Sequence, residues 1–198
     1  MDYLMRQSLI VIALLFAYTA VAGDFEDGMA AYQRKDYAVA LAKFRSASLQ
    51  GDRVAPYLIG TMYQRAQGVE QDYSQAADWF RVAAEQGVRM AQLNLGQMYE
   101  RGHGVIQDYK EAFRWHSLAA RQGVAEAQYS VGRMYGLGYG VLQDDTKAHM
   151  WFNIAAISGD KASAKGRDIA ASKMSPQQIE QAQRMARECM ASNFTKCD

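Results

Sequence analysis

Residues 89–124 read RMAQLNLGQMYERGHGVIQDYKEAFRWHSLAARQGV, and the same phrase stands on both sides of them. Gly96, Met98, Tyr99, Gly104, Val105, Asp108, Ala112, Trp115, Ala119, Ala120 and Gly123 each have a counterpart 36 residues earlier, from Gly60, Met62 and Tyr63 through Gly68, Asp72 and Trp79 to Gly87. The set recurs 36 residues later, from Gly132, Met134 and Tyr135 through Gly140, Asp144 and Trp151 to Gly159. A fixed period in this range is the mark of a stacked solenoid, in which each unit buries its apolar face only against its neighbours.

Each copy reads as two helices. In the middle copy Ala91, Leu95, Met98 and Tyr99 recur at three- and four-residue spacing, which predicts a helix A over 89–101. Gly104 marks a positive φ or a close backbone approach in the connection. Asp108 is placed to N-cap helix B, and Glu111 three residues on would complete a capping box, as Gln75 would after Asp72. The third copy has Lys147 there, so it keeps the Asp144 cap and loses the box. Helix B is expected to run to Arg121 with Ala112, Trp115, Leu118 and Ala119 inward, and Gly123 stops it. Gly60, Gly96 and Gly132 lie inside helix A, where each costs about 1 kcal/mol against Ala. The compensation is close approach of a neighbouring helix, with Trp79, Trp115, Trp151, Tyr63, Tyr99 and Tyr135 filling the remaining space as core.

The phrase resembles the Sel1-like repeat, a relative of the tetratricopeptide repeat, and the likeness covers roughly residues 24 to 190. It implies an all-α fold, an α/α superhelical solenoid of stacked helix pairs. Upstream, Asp36, Tyr37, Ala40, Phe44, Ala47 and Gly51 lie 36 residues before Asp72, Tyr73, Ala76, Phe80, Ala83 and Gly87. The connection there is shorter, which resembles the tetratricopeptide form. Downstream the match fades. Residues 161–171 are expected to form a short helix, and Ser175-Pro176 opens a last one with Gln178 at N3. Ile179, Ala182, Ala186 and Cys189 form its inward stripe, while Glu180, Arg184 and Arg187 suit a solvated cap. The expected division is 1–22 leader, 23–52 short repeat, 53–88, 89–124 and 125–160 long repeats, and 161–198 capping helices and tail.

The leader is read from Arg6, the apolar run from Ser8 to Tyr18, and Ala20-Val21-Ala22 as a small-residue cleavage site before Gly23. An uncleaved anchor is the alternative, although the run is short of the roughly 20 residues that span a bilayer. Either way the chain is expected to be exported, periplasmic or secreted, with membrane contact only through an uncleaved leader. Export would permit a disulfide, and Cys189 and Cys197 are the only cysteines. A bridge would pin the tail to the last helix; free thiols or intermolecular pairing are the alternatives.

Apolar residues make up 49% of the 198, enough for a core, and the formal net charge of +1 gives no electrostatic case for nucleic acid. The motifs of nucleophilic hydrolases, P-loop enzymes, zincins and dithiol oxidoreductases are missing. No metal or cofactor is expected. His116 falls in the column of Phe80 and Phe152 and reads as a packed aromatic substitute; His103 reads as a solvated loop residue and His149 as a helix-surface one. The recurring Asp72, Asp108 and Asp144 read as caps rather than an acidic site. Asn193-Phe194-Thr195 is a formal glycosylation sequon.

Function is therefore expected in the variable columns. The resemblance implies that helix A lines the concave side, so its non-core positions form the groove. These are Tyr57, Thr61, Gln64 and Arg65 in the first long copy, Leu93, Asn94, Gln97, Glu100 and Arg101 in the second, and Tyr129, Ser130 and Arg133 in the third. Aromatic, amide and mixed-charge residues suit docking of a protein or peptide. The expectation is a non-catalytic, exported scaffold that binds an envelope component. The alternatives are a peptidoglycan- or polysaccharide-associated structural protein and, less favoured, a β-lactam-binding or hydrolysing enzyme. The latter analogy lacks the cysteine pair within each repeat. The sequence names neither the partner nor an oligomeric state.

Overall fold

A computed structural model describes residues 23–197, and the expected leader over 1–22 lies outside them. The described residues are helical throughout their regular structure, with no strand among them. They divide after Gln86 into two compact units. The first holds α1 (23–33), α2 (Tyr37–Leu49), α3 (Ala55–Gln64) and α4 (Tyr73–Glu85). The second holds α5 (Arg89–Arg101), α6 (Tyr109–Arg121), α7 (Ala125–Leu137), α8 (Asp145–Ala156), α9 (Lys161–Ala171) and α10 (Pro176–Ala191). Within the first unit α2 packs on α3 and α3 on α4; within the second each helix packs on the next from α5 to α9, and α10 returns to α8. This is the tandem helix-pair fold that the repeat dictates.

The aspartate column starts the B helices. Asp72 accepts from the amides of Ser74 and Gln75, both at 2.9 Å. Asp108 accepts from Lys110 at 2.8 Å and Glu111 at 3.2 Å, and Asp144 from Lys147 at 2.9 Å. These bonds satisfy first-turn donors that no helical carbonyl can reach. The reciprocal half of the box is not made at Asp108. Glu111 turns along the helix to Arg114, with nitrogen–oxygen distances of 3.0–3.3 Å. A complete box forms at Ser175 and Gln178, where α10 begins.

The helix A glycines face an aromatic ring from helix B. A Cβ added at Gly60 would lie 2.7 Å from the Phe80 ring, at Gly96 2.8 Å from the His116 ring, and at Gly132 2.9 Å from the Phe152 ring. Gly28 stands in the same relation to Phe44, at 2.8 Å. Small-on-large packing is thus one layer repeated, and the short first repeat shares it. His116 sits in the Phe column with no exposure.

The first unit's core holds Phe44, Ile59, Met62 and Ala40. The second centres on Trp151, Met150, Ile154, Val131 and Leu93, with Ala182, Ala186 and Cys189 from α10. Trp115 and Trp151 are each 3% exposed. Trp79 and the Tyr63, Tyr99 and Tyr135 column are half-buried rather than fully enclosed. Tyr63 keeps its hydroxyl at the rim, where it accepts from Arg45 at 2.8 Å. Leu118, expected inward, is exposed, and His149, expected on the surface, is buried. The physical reason is the angular width of the buried face. Helix α8 has neighbours in α7, α9 and α10, so more of its circumference is enclosed than one apolar stripe predicts.

Cys189 and Cys197 form a disulfide, with Cα atoms 4.6 Å apart. Cys197 and Phe194 thereby join the core of the second unit. Glu180, Arg184 and Arg187 are exposed on the outer face of α10. No helix among the described residues is long and apolar enough to cross a membrane.

Candidate functional site

In the second unit, α5 and α7 present the variable columns. Arg101 is exposed; Asn94, Gln97, Glu100, Tyr129 and Arg133 are half-buried. Leu93 and Ser130 are buried instead, at 2% and 8% exposure, and so is Thr61 of the first unit, at 7%. These three correct the expected groove. A helix A has two enclosed flanks, so residues beside the core stripe are covered and only a narrow strip stays open. Leu93 belongs to the main core cluster, and the Thr61 hydroxyl donates back to the Leu58 carbonyl at 2.7 Å.

The open strip of the second unit is cross-linked. Arg133 of α7 donates to the Glu100 carboxylate of α5, and the other Glu100 oxygen lies 3.4 Å from His116 Nε2 on α6. The His116 contact is of ion-pair length rather than a well-aligned hydrogen bond, since both ring nitrogens lack a hydrogen-bond partner. Glu100 is held at a pKa of about 2, against an ordinary 4.5. His116 contributes most to that shift, Arg133 adds to it, and partial burial opposes it. A second link runs from Gln97 Nε2 to Glu126 Oε1 at 2.7 Å. Three side chains of the strip, Gln97, Glu100 and Arg133, are thus fixed before any partner arrives.

In the first unit the strip is Tyr57, Gln64 and Arg65. The Tyr57 ring packs against Phe80 at 5.8 Å between centroids, and desolvation raises its hydroxyl pKa. The Gln64 carbonyl accepts from the side chain of Gln71 at 2.9 Å, and Arg65 is exposed.

One feature of the second unit escaped sequence reasoning. A cavity of about 190 Å³ opens between α7, α8 and α9. Tyr129, Ala148, Phe152 and Ile169 give it apolar walls, and Arg133, Asp145 and Lys173 also line it. Position 136 carries Gln64 and Glu100 in the other repeats and Gly136 here, which was the one available signal. Among the described residues no three His, Cys, Asp or Glu side chains gather to hold a metal. His103 is exposed on its loop; His149 is enclosed on α8, where desolvation lowers its pKa.

The family model for the Sel1 repeat matches residues 54–88, 89–124 and 125–160. Among solved structures, the chain is similar to a protective antigen present in uropathogenic Escherichia coli strains and displaying an SLR fold, at 31% identity and a TM-score of 0.70. That match covers 79% of this chain and 34% of the antigen, so the chain spans about a third of that protein's length. It is also similar to a Sel1 repeat protein from Oxalobacter formigenes, at 28% identity and a TM-score of 0.66, over 88% of this chain and 79% of the other. No curated protein matches it.

Proposed function

From the premise that this chain belongs to the Sel1 repeat family, we propose that it is an exported scaffold that binds a protein or peptide of the cell envelope and does no chemistry itself. Sel1-repeat solenoids typically serve as protein-interaction scaffolds. One observation carries the reading for this chain: the open strip of Asn94, Gln97, Glu100, Arg101, Tyr129 and Arg133 in the second unit, in which Gln97, Glu100 and Arg133 are already cross-linked. It offers amide, aromatic and both charge signs, the composition of a polar protein interface. Side chains already held by neighbours lose little freedom on docking, so less binding energy goes into ordering them. Export is supported by the leader-like pattern of residues 1–22 and by the Cys189–Cys197 disulfide, which suits an oxidising compartment.

A photo-crosslinking side chain at position 94, in the native host, tests this. A discrete protein adduct is expected there and not from position 180 on the outer face of α10. Arg101→Glu is expected to weaken capture severalfold, because it reverses the strip's exposed charge. No adduct at 94, or the same adducts from both positions, rejects the reading.

A further inference from the structure

We propose that the cavity between α7, α8 and α9 anchors one apolar side chain of a bound peptide, whose main-chain amide donates to Asp145. This rests on the scaffold reading and gives it a place and a partner chemistry. At about 190 Å³ the cavity falls below the roughly 300–1,000 Å³ of sites that take a whole ligand. It has room for a single side chain of leucine, methionine or phenylalanine size. Tyr129, Phe152, Ala148 and Ile169 supply the matching apolar lining.

Gly136 makes the room, and Gly166 lets α9 close on the Phe152 wall. An added Cβ at Gly136 would meet only Ala148, at 3.6 Å, so a longer side chain there would project into the space. Gly166 lies so close to Phe152 that an added Cβ would come within 2.8 Å of the ring. In the second repeat the counterparts of Gly136 and Phe152 are Glu100 and His116, which touch each other at 3.4 Å. The third repeat has lost that polar pair and gained a cavity.

The polar atoms select the occupant. Asp145 Oδ1 is enclosed and accepts no hydrogen bond. Lys173 Nζ lies 3.6 Å from it, an ion-pair distance too long for a donor. A carboxylate oxygen held only by an ion pair of that length keeps its acceptor capacity for a shorter bond from an incoming N–H. Lys173 and the Arg133 N–H groups that Glu100 does not use line the same cavity as donors for a carbonyl. An extended peptide brings all three groups at fixed spacing: apolar side chain, N–H and C=O. A fatty acid brings the apolar chain and an acceptor for Lys173 and Arg133, but no N–H for Asp145.

The test uses the whole protein and three probes, the blocked tripeptide amides acetyl-Gly-Leu-Gly and acetyl-Gly-Asp-Gly, and decanoate. Backbone amide NMR is the readout. The leucine peptide is expected to shift Gly136, Ala148 and Gly166 saturably at millimolar concentration, and the other two are not. Gly136→Leu, which fills the cavity and favours the helix, is expected to abolish the response. Asp145→Asn is expected to weaken it by about tenfold. A circular dichroism melt confirms that both variants fold. No response to the leucine peptide, an equal response to decanoate, or a response that survives Gly136→Leu overturns the proposal. Capture at position 94 is scored separately. If it persists while the leucine peptide fails, the pocket falls and the scaffold stands; if it is absent, the scaffold reading falls by its own test.

Discussion

An added Cβ at Gly140 would lie 2.0 Å from the Tyr109 carbonyl oxygen, on a backbone with φ of +70°. Two constraints meet there, a left-handed backbone and a touching carbonyl. Gly159 has the first without the second, with φ +83° and nothing within 4 Å. Alanine at Gly159 is expected to cost about 1–2 kcal/mol, the left-handed penalty alone. Alanine at Gly140 is expected to cost at least about 3 kcal/mol, because backbone must move. Urea unfolding of the two variants checks this, and equal losses would sink the explanation. At this scale much was legible. The capping aspartates and the buried Trp115 and Trp151 follow from residue type and phase. Thr61, Leu93 and Ser130 did not, because phase tells which residues repeat and not which flank a neighbour covers. Ala66 shows the reverse case. It sits where the other repeats have Gly102 and Gly138 and still takes φ +55°, so the loop shape outweighs that residue's local preference.

At the scale of elements, α5, α6 and α7 are joined by the Glu100 carboxylate in addition to their apolar contacts. The Glu100 pKa is depressed in the folded chain, so its contribution is complete above the ordinary 4.5 and fades as pH falls toward about 2. Glu100→Gln is therefore expected to lose roughly 2 kcal/mol at pH 7, with a deficit that shrinks between pH 4.5 and pH 2. Denaturant titrations of the variant and the parent at pH 7 and pH 3 measure it. A deficit that is the same at both pH values would assign Glu100 a packing role only. Helix bounds were readable because Asp108, Gly123 and Ser175 punctuate the chain chemically. The linkage was not. Glu100 and Arg133 are 33 residues apart on different repeats, and only the packing of α5 beside α7 reveals that they meet.

At the scale of the whole molecule, the two units differ in how they end. The second closes with α10 and a tail fastened by Cys189–Cys197, whose sulfurs lie in the core with Ala182 and Ala186. An eight-residue separation gives about 2–3 kcal/mol in the chain-entropy picture. Reduction, or Cys197→Ser, is expected to raise hydrogen exchange in α10 and in α8 beneath it, and to leave α2 and α3 unchanged. Uniform deprotection across both units would contradict that assignment. The tandem helix pairs were plain in the 36-residue period, whereas the cavity was not. It needs Gly136 and Gly166, thirty positions apart, to border one space, and neither residue belongs to the repeated phrase.

Gly140 resting on Tyr109, and Gly68 likewise on Tyr37, also decides how such a chain can be lengthened. In each case the long connection of one module is seated on the first turn of helix B in the module before it. An insertion of a few residues between the two would slide the loop off its seat and turn the aspartate cap away from its helix. Insertion of a complete 36-residue module preserves that seating, so duplication of whole modules is a route the architecture leaves open.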